Sequence, residues 1–427
     1  MASEIRVDKI NSLSGVGTVT LSPTGVDICG ITTAATLKAT TGIVTTLTAT
    51  TGIVTTFVTN TANVGGGVTI SESGIEASGI GITVANINGG AVGGRRNMII
   101  NGDQRIAQRN TTAKLVTTDA AYRCVDRFKT DIDGSGGGNF FHGQTGAGSS
   151  ITADVPTGQG FTHSSKITVN ASVSQPSGTD NRHQFYTMLE KQDVFHLEWG
   201  TSAAKTCTLS FWVKSSVAGT YILWIKFYGA ADYYYYTNYT INSADTWEKK
   251  VITITGHTSG GNVSGTVDQG LLIEWNLGTS SGNETGTLNE WTTTASIRAA
   301  SGTVYLPENA GATWYITGAQ FEVGSQATAF EHRSYGDELA LCQRYYFGGA
   351  GYSGNSFFGT NYHTTNQMVT IPHPTIMRTT PTVATPTVSG GGTMYTTYTG
   401  QLQTQFYVTG DQSNYIAPTE IDISAEL

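Results

Sequence analysis

The chain has 427 residues, of which 13% are charged, and a formal net charge of −8 with 23 lysine and arginine residues. Hydrophobic cores usually stop growing at about 250–300 residues, so we expect more than one folded unit. The acidic balance offers no basic surface for phosphate groups, which argues against a nucleic-acid partner. No apolar run reaches about 18 residues, so the sequence predicts no membrane-spanning helix.

Glycine occupies 53 positions, and threonine, serine, tyrosine and valine recur along the whole chain. β-Branched and aromatic residues separated by glycine turns are typical of many short strands. The sequence therefore predicts an all-β fold. Its first residues, 1–9, are polar and lack the basic and then apolar profile of a secretory signal, so we expect synthesis in the cytoplasm.

Residues 1–95 are rich in threonine and contain a tandem repeat, LKATTGIVTT at 37–46 followed by LTATTGIVTT at 47–56. An even period returns each side chain to the same face of a strand. A ribbon this thin cannot bury its apolar residues alone, so we expect three chains to intertwine as the stalk of a homotrimer. A flexible threonine-rich linker is the alternative interpretation.

Residues 96–335 contain longer strands with aromatic residues, such as CTLSFWVKSS at 207–216 and TYILWIKFY at 220–228. Clusters of Gly, Asn and Ser recur about every ten residues, which is typical of a β-sandwich or jelly roll. From the alternation of side chains, we expect Leu209, Phe211 and Val213 to face the core. The second segment alternates less regularly, and there we expect Ile222, Trp224 and Lys226 to face the core.

Residues 336–427 are expected to form a small C-terminal β-domain that begins with one short helix at about 335–347. Ser334 and Asp337 approximate a capping box ahead of an apolar helical stripe. After the helix, short segments of β-forming residues are separated by Thr-Pro and Ser-Gly turns. The density of proline confines those strands to sheet edges or short runs.

The sequence predicts no cofactor, with a structural calcium ion as the alternative. The four cysteines are widely spaced and form no CxxC pair, which fits neither a zinc site nor a disulfide scaffold. We expect buried free thiols at Cys29, Cys124, Cys207 and Cys342. The glycine-rich segment DIDGSGGGN at 131–139 offers calcium-type oxygen ligands at Asp131, Asp133 and Asn139, although it lacks the distal Glu of an EF-hand. A plain loop between strands is the competing interpretation.

Two segments have the composition of a sugar-binding surface, which needs aromatic rings beside polar groups. In DYYYYTNYT at 232–240, Tyr233 and Tyr235 share one face of a strand, and Tyr234 and Tyr236 share the other. One pair is expected to pack in the core, and Tyr233 and Tyr235 are the glycan-binding candidates. The alternative is that all four tyrosines fill the core or a trimer contact.

The second segment is YSGNSFFGTNYHTTNQ at 352–367, whose mixture of aromatic and small polar residues resembles a binding loop. Its glycan-binding candidates are Phe357, Phe358, Tyr362 and His363. Burial of these residues in a core or in an interface between chains is the alternative.

We do not expect an enzyme. The sequence has no P-loop and no HExxH motif, and its eight histidines are scattered. Glu274, Glu284 and Glu290 lie close together and could supply the two carboxylates of a glycosidase. Acidic residues grouped on one loop are more often solvent-exposed charges than catalytic groups.

Several segments resemble phage and prophage tail-fibre proteins whose distal part is a carbohydrate-binding-like jelly roll. They are NMIINGDQRIAQRN at 97–110, YRCVDRF at 122–128, TLSFWVKSSVAGTY at 208–221 and WYITGAQFEVGSQATAFEHRSYGDELALCQRYY at 314–346. The N-terminal segment from MASEIRVDKINSLSG onwards is similar to the leading segment of fibre proteins from marine phages, particularly cyanophages. The resemblance implies that residues 1–95 attach to a phage tail or baseplate protein and that the distal part binds a glycan on the host surface.

The sequence and the resemblance together favour a structural virion protein, a tail fibre that mediates adsorption to the host cell. One alternative is a spacer fibre of the capsid, neck or tail that has no receptor role. The other is a tailspike that degrades glycans, although such enzymes usually carry long parallel β-helix repeats that this sequence lacks.

Overall fold

The computed structural model of the chain describes residues 9–11, 18–22, 25–29, 61–64, 68–71, 74–77 and 95–427, the last range with gaps at 118–119, 134–137, 179–180, 264, 285–286, 296–297, 350–356, 359, 364–365, 385–392, 410–414 and 417–420. Side chains are described from residue 95 onwards, except in these gaps and at 349, 357–366, 393, 415–416 and 421. The chain forms two compact units, Met1–Ile82 and Thr83–Leu427.

The N-terminal unit contains two small antiparallel sheets. Their strands are β1 (Lys9–Asn11), β2 (Thr18–Ser22) and β3 (Gly25–Cys29) in the first sheet, and β4 (Thr61–Val64), β5 (Val68–Ser71) and β6 (Gly74–Ala77) in the second. The tandem repeat at 37–56 lies outside the described residues. The intertwined stalk and the homotrimer therefore stay predictions, as do the domain bounds at 95 and 335.

The second unit contains a sandwich of two six-stranded antiparallel sheets, so the predicted β-sandwich is confirmed. In spatial order, sheet I consists of β15 (Glu248–Ile254), β12 (Cys207–Ser215), β18 (Thr313–Val323), β10 (Ser164–Ala171), β9 (Asn139–Thr145) and β7 (Lys114–Val116). Sheet II consists of β17 (Trp291–Thr292), β14 (Asp232–Ile241), β13 (Gly219–Tyr228), β16 (Gln269–Thr279), β11 (Arg182–Glu190) and β8 (Phe128–Asp133).

The inner faces of the two sheets share one hydrophobic core. Leu209, Phe211 and Val213 of β12 are fully buried in it, as the alternation of that strand predicted. Trp275 and Trp314, also fully buried, come from the facing sheets II and I. Burial of one large apolar side chain contributes about 1.5–3 kcal/mol, so this core gives both outer faces a firm support.

The prediction that Ile222, Trp224 and Lys226 face the core is wrong. The core is filled instead by the alternate residues of β13, which are Tyr221, Leu223, Ile225 and Phe227. Ile222 and Trp224 belong to a second apolar cluster on the outer face of sheet II. Both faces of this strand are covered by side chains, and a strand that is apolar on both faces gives no alternation from which to choose the inner one.

The C-terminal part of this unit consists of short strands, as predicted. They are β19 (Tyr346–Gly349), β20 (Phe357–Phe358), β21 (Thr360–His363), β22 (Asn366–Pro372), β23 (Thr382–Ala384), β24 (Thr393–Thr399), β25 (Gln403–Thr409), β26 (Tyr415–Ile416) and β27 (Ile421–Ser424). They form sheets in the orders β19-β27-β23, β20-β26 and β21-β22-β25-β24. Phe406, Val408 and Ile423 are fully buried in a small separate core.

The predicted helix exists but is shorter than expected. It is α2 (Tyr335–Gln343), and the Ser334 hydroxyl caps it by accepting a hydrogen bond from the Asp337 backbone N–H at 3.2 Å. The chain leaves the helix before residue 347 because Tyr346 pairs as a strand with Ser424 of β27. A four-residue helix, α1 (Lys191–Val194), was not predicted. Across the described ranges, no helix has both the length and the apolar character needed to cross a bilayer.

Buried charges fix the last residues of the chain to the sandwich. Arg127 is fully buried, forms an ion pair with Glu426, and places its guanidinium 3.5 Å from the centroid of the Tyr345 ring. Arg109 Nη2 lies 3.1 Å from the same Glu426 carboxylate. Arg378 Nε donates to the Ala425 carbonyl at 2.7 Å. The C-terminal strands and the sandwich are thus joined by ionic contacts as well as by packing.

The cysteine prediction is confirmed where side chains are described. Cys124, Cys207 and Cys342 are buried free thiols. Burial raises the pKa of each thiol, to about 12 for Cys124. The side chain of Cys29, at the end of β3, lies outside the described residues.

Candidate functional site

The outer face of sheet II carries a pocket of about 170 Å³, the sheet II pocket, in which aromatic and charged side chains meet. Alternate residues of five neighbouring strands, β14, β13, β16, β11 and β8, point away from the core and supply most of its walls. Arg298 enters from the segment that follows β17. The lining residues are Asp131, Arg182, Gln184, Tyr186, Trp224, Lys226, Tyr228, Tyr234, Leu272, Glu274 and Arg298.

The strand register places Trp224 at the centre of this face. Trp224 of β13 lies opposite Glu274 of β16 on one side and opposite Tyr236 of β14 on the other. Two residues along β13, Lys226 lies opposite Tyr234. Directly opposed residues have Cβ atoms about 4.5–5.5 Å apart. The register therefore brings a carboxylate, an ammonium group and aromatic rings to one small area.

A tyrosine ring and a guanidinium group both pack on the Trp224 ring. The Trp224 and Tyr234 rings are stacked with their centroids 5.1 Å apart, and the Arg298 guanidinium lies 4.3 Å from the centroid of the Trp224 ring. A cation over an aromatic face contributes about 0.5–2 kcal/mol. Only 2% of Trp224 and 7% of Tyr234 are exposed. These two side chains of the pocket wall therefore have fixed positions before a ligand binds.

Glu274 is an almost fully buried carboxylate in the middle of β16. Its Oε2 accepts a hydrogen bond from Gln184 Nε2 at 2.8 Å and from Arg298 Nη1 at 3.3 Å. Burial raises the pKa of the Glu274 carboxyl, although Arg298 and Arg182 act in the opposite direction. The contacts to one oxygen fix the orientation of the whole group.

Three buried polar atoms of residues that line the sheet II pocket have no hydrogen-bond partner among the described residues: Arg182 Nε, Glu274 Oε1 and Trp224 Nε1. Glu274 Oε1, an acceptor, and Trp224 Nε1, a donor, belong to directly opposed residues. A buried polar group without a partner costs about 1–3 kcal/mol. A ligand with neighbouring hydroxyl groups can satisfy both atoms, because a hydroxyl group donates and accepts.

A neighbouring pocket of about 390 Å³ shares Tyr228 with the sheet II pocket. Its other lining residues include Lys191, Asp268 and Arg378. Tyr228 is half-buried, and its ring centroid lies 4.2 Å from Lys226 Nζ. The two pockets therefore adjoin each other at Tyr228.

The tyrosines of β14 divide between the two faces of sheet II, as their alternation predicted. Tyr235 is part of the sandwich core, and Tyr233 packs against that core with its ring centroid 4.0 Å from the His257 ring. Tyr234 and Tyr236 belong to the cluster on the outer face. Glycan binding by Tyr233 and Tyr235 stays a prediction, and Tyr234 is the one of the four that lines the sheet II pocket.

The other aromatic candidates lie in the C-terminal strands. Phe357 and Phe358 form β20, and Tyr362 and His363 are in β21. Their side chains lie outside the described part of the chain. Their role in glycan binding stays a prediction.

The calcium candidates lie on both sides of an undescribed gap at 134–137. Asp131 lines the sheet II pocket, Asp133 forms an ion pair with Arg182, and Asn139 Oδ1 accepts a hydrogen bond from Asn170 Nδ2 at 2.6 Å. Among the side chains that are described, no group of three or more His, Cys, Asp and Glu residues is arranged to hold a metal ion. Calcium binding by these residues stays a prediction.

Sequence reasoning missed the central residues of the pocket. It assigned Glu274 to a loop of solvated acids, whereas Glu274 lies inside β16 and is 1% exposed. The signal was present in LLIEWNL at 271–277, where one acid interrupts an apolar strand. A buried acid requires a partner, and that partner, Arg298, is remote from the strand in sequence.

No protein-family model and no curated protein sequence matches the chain. Among solved structures, 53% of the chain matches 21% of a tailspike protein 4 structure from bacteriophage CBA120, its enzymatically active domain, with 15% identity and a TM-score of 0.26. A family 11 carbohydrate-binding module from Clostridium thermocellum, in complex with a mixed-linked tetrasaccharide, is matched over its full length by 52% of the chain, with 13% identity and a TM-score of 0.23. A similarity at these TM-scores carries no argument about function.

Proposed function

We propose that the chain is a carbohydrate-binding protein that holds a glycan in the sheet II pocket. The observation that carries the proposal is the pair formed by Trp224 Nε1 and Glu274 Oε1, a buried donor and a buried acceptor without a partner among the described residues. Sugars present neighbouring hydroxyl groups, which donate and accept, and apolar ring faces, which pack on aromatic side chains. The pocket offers counterparts to both features.

In the proposed complex, one sugar ring enters the sheet II pocket and packs against its tyrosine walls, while its hydroxyl groups bond to Trp224 and Glu274. The next sugar extends past Tyr228 into the neighbouring pocket. The cations of this face are paired with acids, Arg298 with Glu274 at 3.3 Å and Lys226 with Asp232 at 2.7 Å. This balance of charge favours a neutral glycan.

The test is a glycan array probed with the full chain and with two variants. We expect the wild-type protein to bind a set of neutral oligosaccharides, Glu274→Gln to lose that set, and the control Glu308→Gln, at an exposed position, to retain it. Equal binding by the wild-type and Glu274→Gln proteins would exclude the sheet II pocket as the site.

We further propose that the glycan belongs to a host cell surface and that the chain is a homotrimeric tail fibre of a virion. The tandem repeat at 37–56 and the resemblance of 97–110, 122–128 and 314–346 to phage tail-fibre proteins support this step. Three weak sites on one fibre increase avidity by a factor of about 100–10,000. Residues 1–95 would then attach to a tail or baseplate protein.

Two measurements test the fibre proposal. A native mass of three chains is expected, and a mass equal to one 45.2 kDa chain would contradict the homotrimer. Purified protein is also expected to adhere to host cells. Adhesion no stronger than that of an unrelated trimeric protein would favour the spacer fibre of a capsid, neck or tail.

A second function, glycan cleavage, is favoured by one observation. Asp131 and Glu274 line the same pocket, and burial raises the pKa of both carboxyl groups. Glycosidases use two carboxyl groups, one of them with a raised pKa. Because Glu274 is held by Arg298, we propose binding without cleavage and expect no new reducing ends from host polysaccharide. Their release by wild-type protein but not by Glu274→Gln would favour a tailspike enzyme.

A further inference from the structure

Sheet I carries a second pocket, of about 380 Å³, on its own outer face. We call it the sheet I pocket. Trp212 and Lys249, directly opposed on β12 and β15, form one wall. Phe161, Phe330 and His332 form the other, with ring centroids between 4.9 and 5.4 Å apart. This pocket lies on the opposite sheet from the sheet II pocket and shares no residue with it.

A bulge in β18 shapes the floor of the sheet I pocket. The pairing of β12 with β18 shifts between Ser210 and Trp212, and Gly318 in the bulge has a φ of +63°. A Cβ atom at Gly318 would lie 2.5 Å from Cζ of Phe161. Glycine therefore allows the Phe161 ring to lie directly on the sheet, where it supports Phe330. Bulges of this kind often adjust the side chains around a functional site.

The charge of the sheet I pocket differs from that of the sheet II pocket. Lys249 and His332 line it, and the described lining contains no carboxylate. Lys249 is exposed and forms no hydrogen bond or ion pair within the described part of the chain. Asp103 does not line the pocket, and its carboxylate is already paired with Arg105 Nε at 3.0 Å. The pocket thus places an ammonium group without a counter-charge beside aromatic rings.

We propose that the sheet I pocket binds an anionic pyranose, a sugar ring that carries a carboxylate or a sulfate group. The sugar ring packs against Trp212, which is half-buried, and against Phe330, while its anionic group pairs with Lys249. A neutral sugar makes the ring contact alone. This site does not depend on the neutral glycan proposed for sheet II, so either site can exist without the other.

The test is calorimetric titration of the full chain with three oligosaccharides of equal length: a trimer of galacturonic acid, an uncharged galactose trimer and a sulfated galactose trimer. We expect at least one anionic trimer to bind about tenfold more tightly than the uncharged trimer, the size of one charge-assisted contact. Lys249→Met is expected to remove that difference. The matched control Lys205→Met, at an exposed lysine outside the pocket, is expected to retain it. Higher salt should weaken the anionic trimer selectively.

Further variants separate the two sites and the two anions. Trp212→Ala is expected to weaken all trimers that bind at sheet I, whereas Glu274→Gln, which alters sheet II, should leave the anionic trimer unaffected. Binding of the sulfated trimer alone, with the same loss in Lys249→Met, supports the site with sulfate as the anion. The proposal is wrong if the Glu274→Gln protein, in which the sheet II site is removed, does not prefer an anionic trimer, or if Lys249→Met binds that trimer as tightly as the wild type does.

Discussion

Trp224 and Glu274 lie directly opposite each other on β13 and β16, and each has one buried polar atom without a partner among the described residues. Arg298 contacts both, through the face of the Trp224 ring and through Glu274 Oε2. The three side chains form one unit in which Arg298 sets the position of the ring and the carboxylate. The free donor and the free acceptor therefore have fixed positions, which is what selective recognition of hydroxyl groups requires.

Glu274→Gln is expected to weaken binding of the neutral glycan by about tenfold or more, because the substitution changes the acceptor and removes the charge that holds Arg298. The free energy of unfolding should fall by about 2 kcal/mol, since Arg298 then lacks its charge partner. Calorimetric titration and urea unfolding measure the two effects. Glu308→Gln, the exposed control, should show neither. Unchanged affinity in Glu274→Gln would show that the glycan binds elsewhere.

Trp224→Phe keeps an aromatic ring in contact with Tyr234 and Arg298 but removes the Nε1 donor. We expect an affinity loss of about fivefold to tenfold, equal to one hydrogen bond, with a smaller effect on thermal stability than Trp224→Ala. Trp212→Phe, the matched change on sheet I, should leave neutral-glycan affinity unaffected. If Trp224→Phe binds as well as the wild type, the indole N–H takes no part in recognition.

Glu426→Gln should destabilise the second unit by about 3 kcal/mol, because it leaves the Arg127 charge buried without its acidic partner. Only 1% of the Arg127 side chain and 7% of the Glu426 side chain are exposed. Urea unfolding measures the loss, and Glu290→Gln, at an exposed acid, serves as the control. Arg127→Met in the Glu426→Gln background should recover part of the stability, since it removes the unpaired charge. No recovery would mean that packing, rather than charge, causes the loss.

His142 should make the protein less stable in mild acid. Burial lowers the pKa of His142 to about 3, from an ordinary value of 6.5. Below pH 6.5, His142 binds a proton in the unfolded state but stays neutral in the folded state. The contribution of His142 to the free energy of unfolding is therefore fully present above pH 6.5 and is lost as the pH falls towards 3. The loss is about 2 kcal/mol at pH 5.

His142→Gln tests this pH dependence. Stability measured by urea unfolding at pH 7 and at pH 5 should differ less in His142→Gln than in the wild type. His332→Gln, at an exposed histidine, should keep the wild-type difference. An identical pH dependence in wild type and His142→Gln would show that other groups govern acid sensitivity.

The sequence was sufficient to predict the sandwich where strands alternate cleanly. In β12, Ser210 separates Leu209 from Phe211, and the polar residues Thr208 and Lys214 flank the apolar set, so the inner face was recognisable. In β13, the neighbours Ile222, Leu223, Trp224 and Ile225 are all apolar, and the inner face was assigned wrongly. The cause is physical, because the outer face of sheet II is itself covered by side chains that local sequence does not reveal.

The pocket was less predictable than the fold, because it depends on contacts between distant residues. Tyr234 was correctly assigned to the face of β14 that does not carry Tyr233 and Tyr235. The position of Glu274 beside Trp224, however, depends on the register of β13 with β16. Similarly, the helix ended early at Gln343 because Tyr346 pairs with Ser424. Periodicity along the chain contains no information about such pairings.

A crystal structure of the full chain with a neutral oligosaccharide selected on a glycan array would show directly where the sugar binds. We expect one sugar ring in the sheet II pocket, with hydroxyl oxygens within about 3.2 Å of Trp224 Nε1 and Glu274 Oε1, and a second sugar beside Tyr228. A sugar bound at the strands that contain Phe357 and Tyr362, with the sheet II pocket filled by water, would contradict this account.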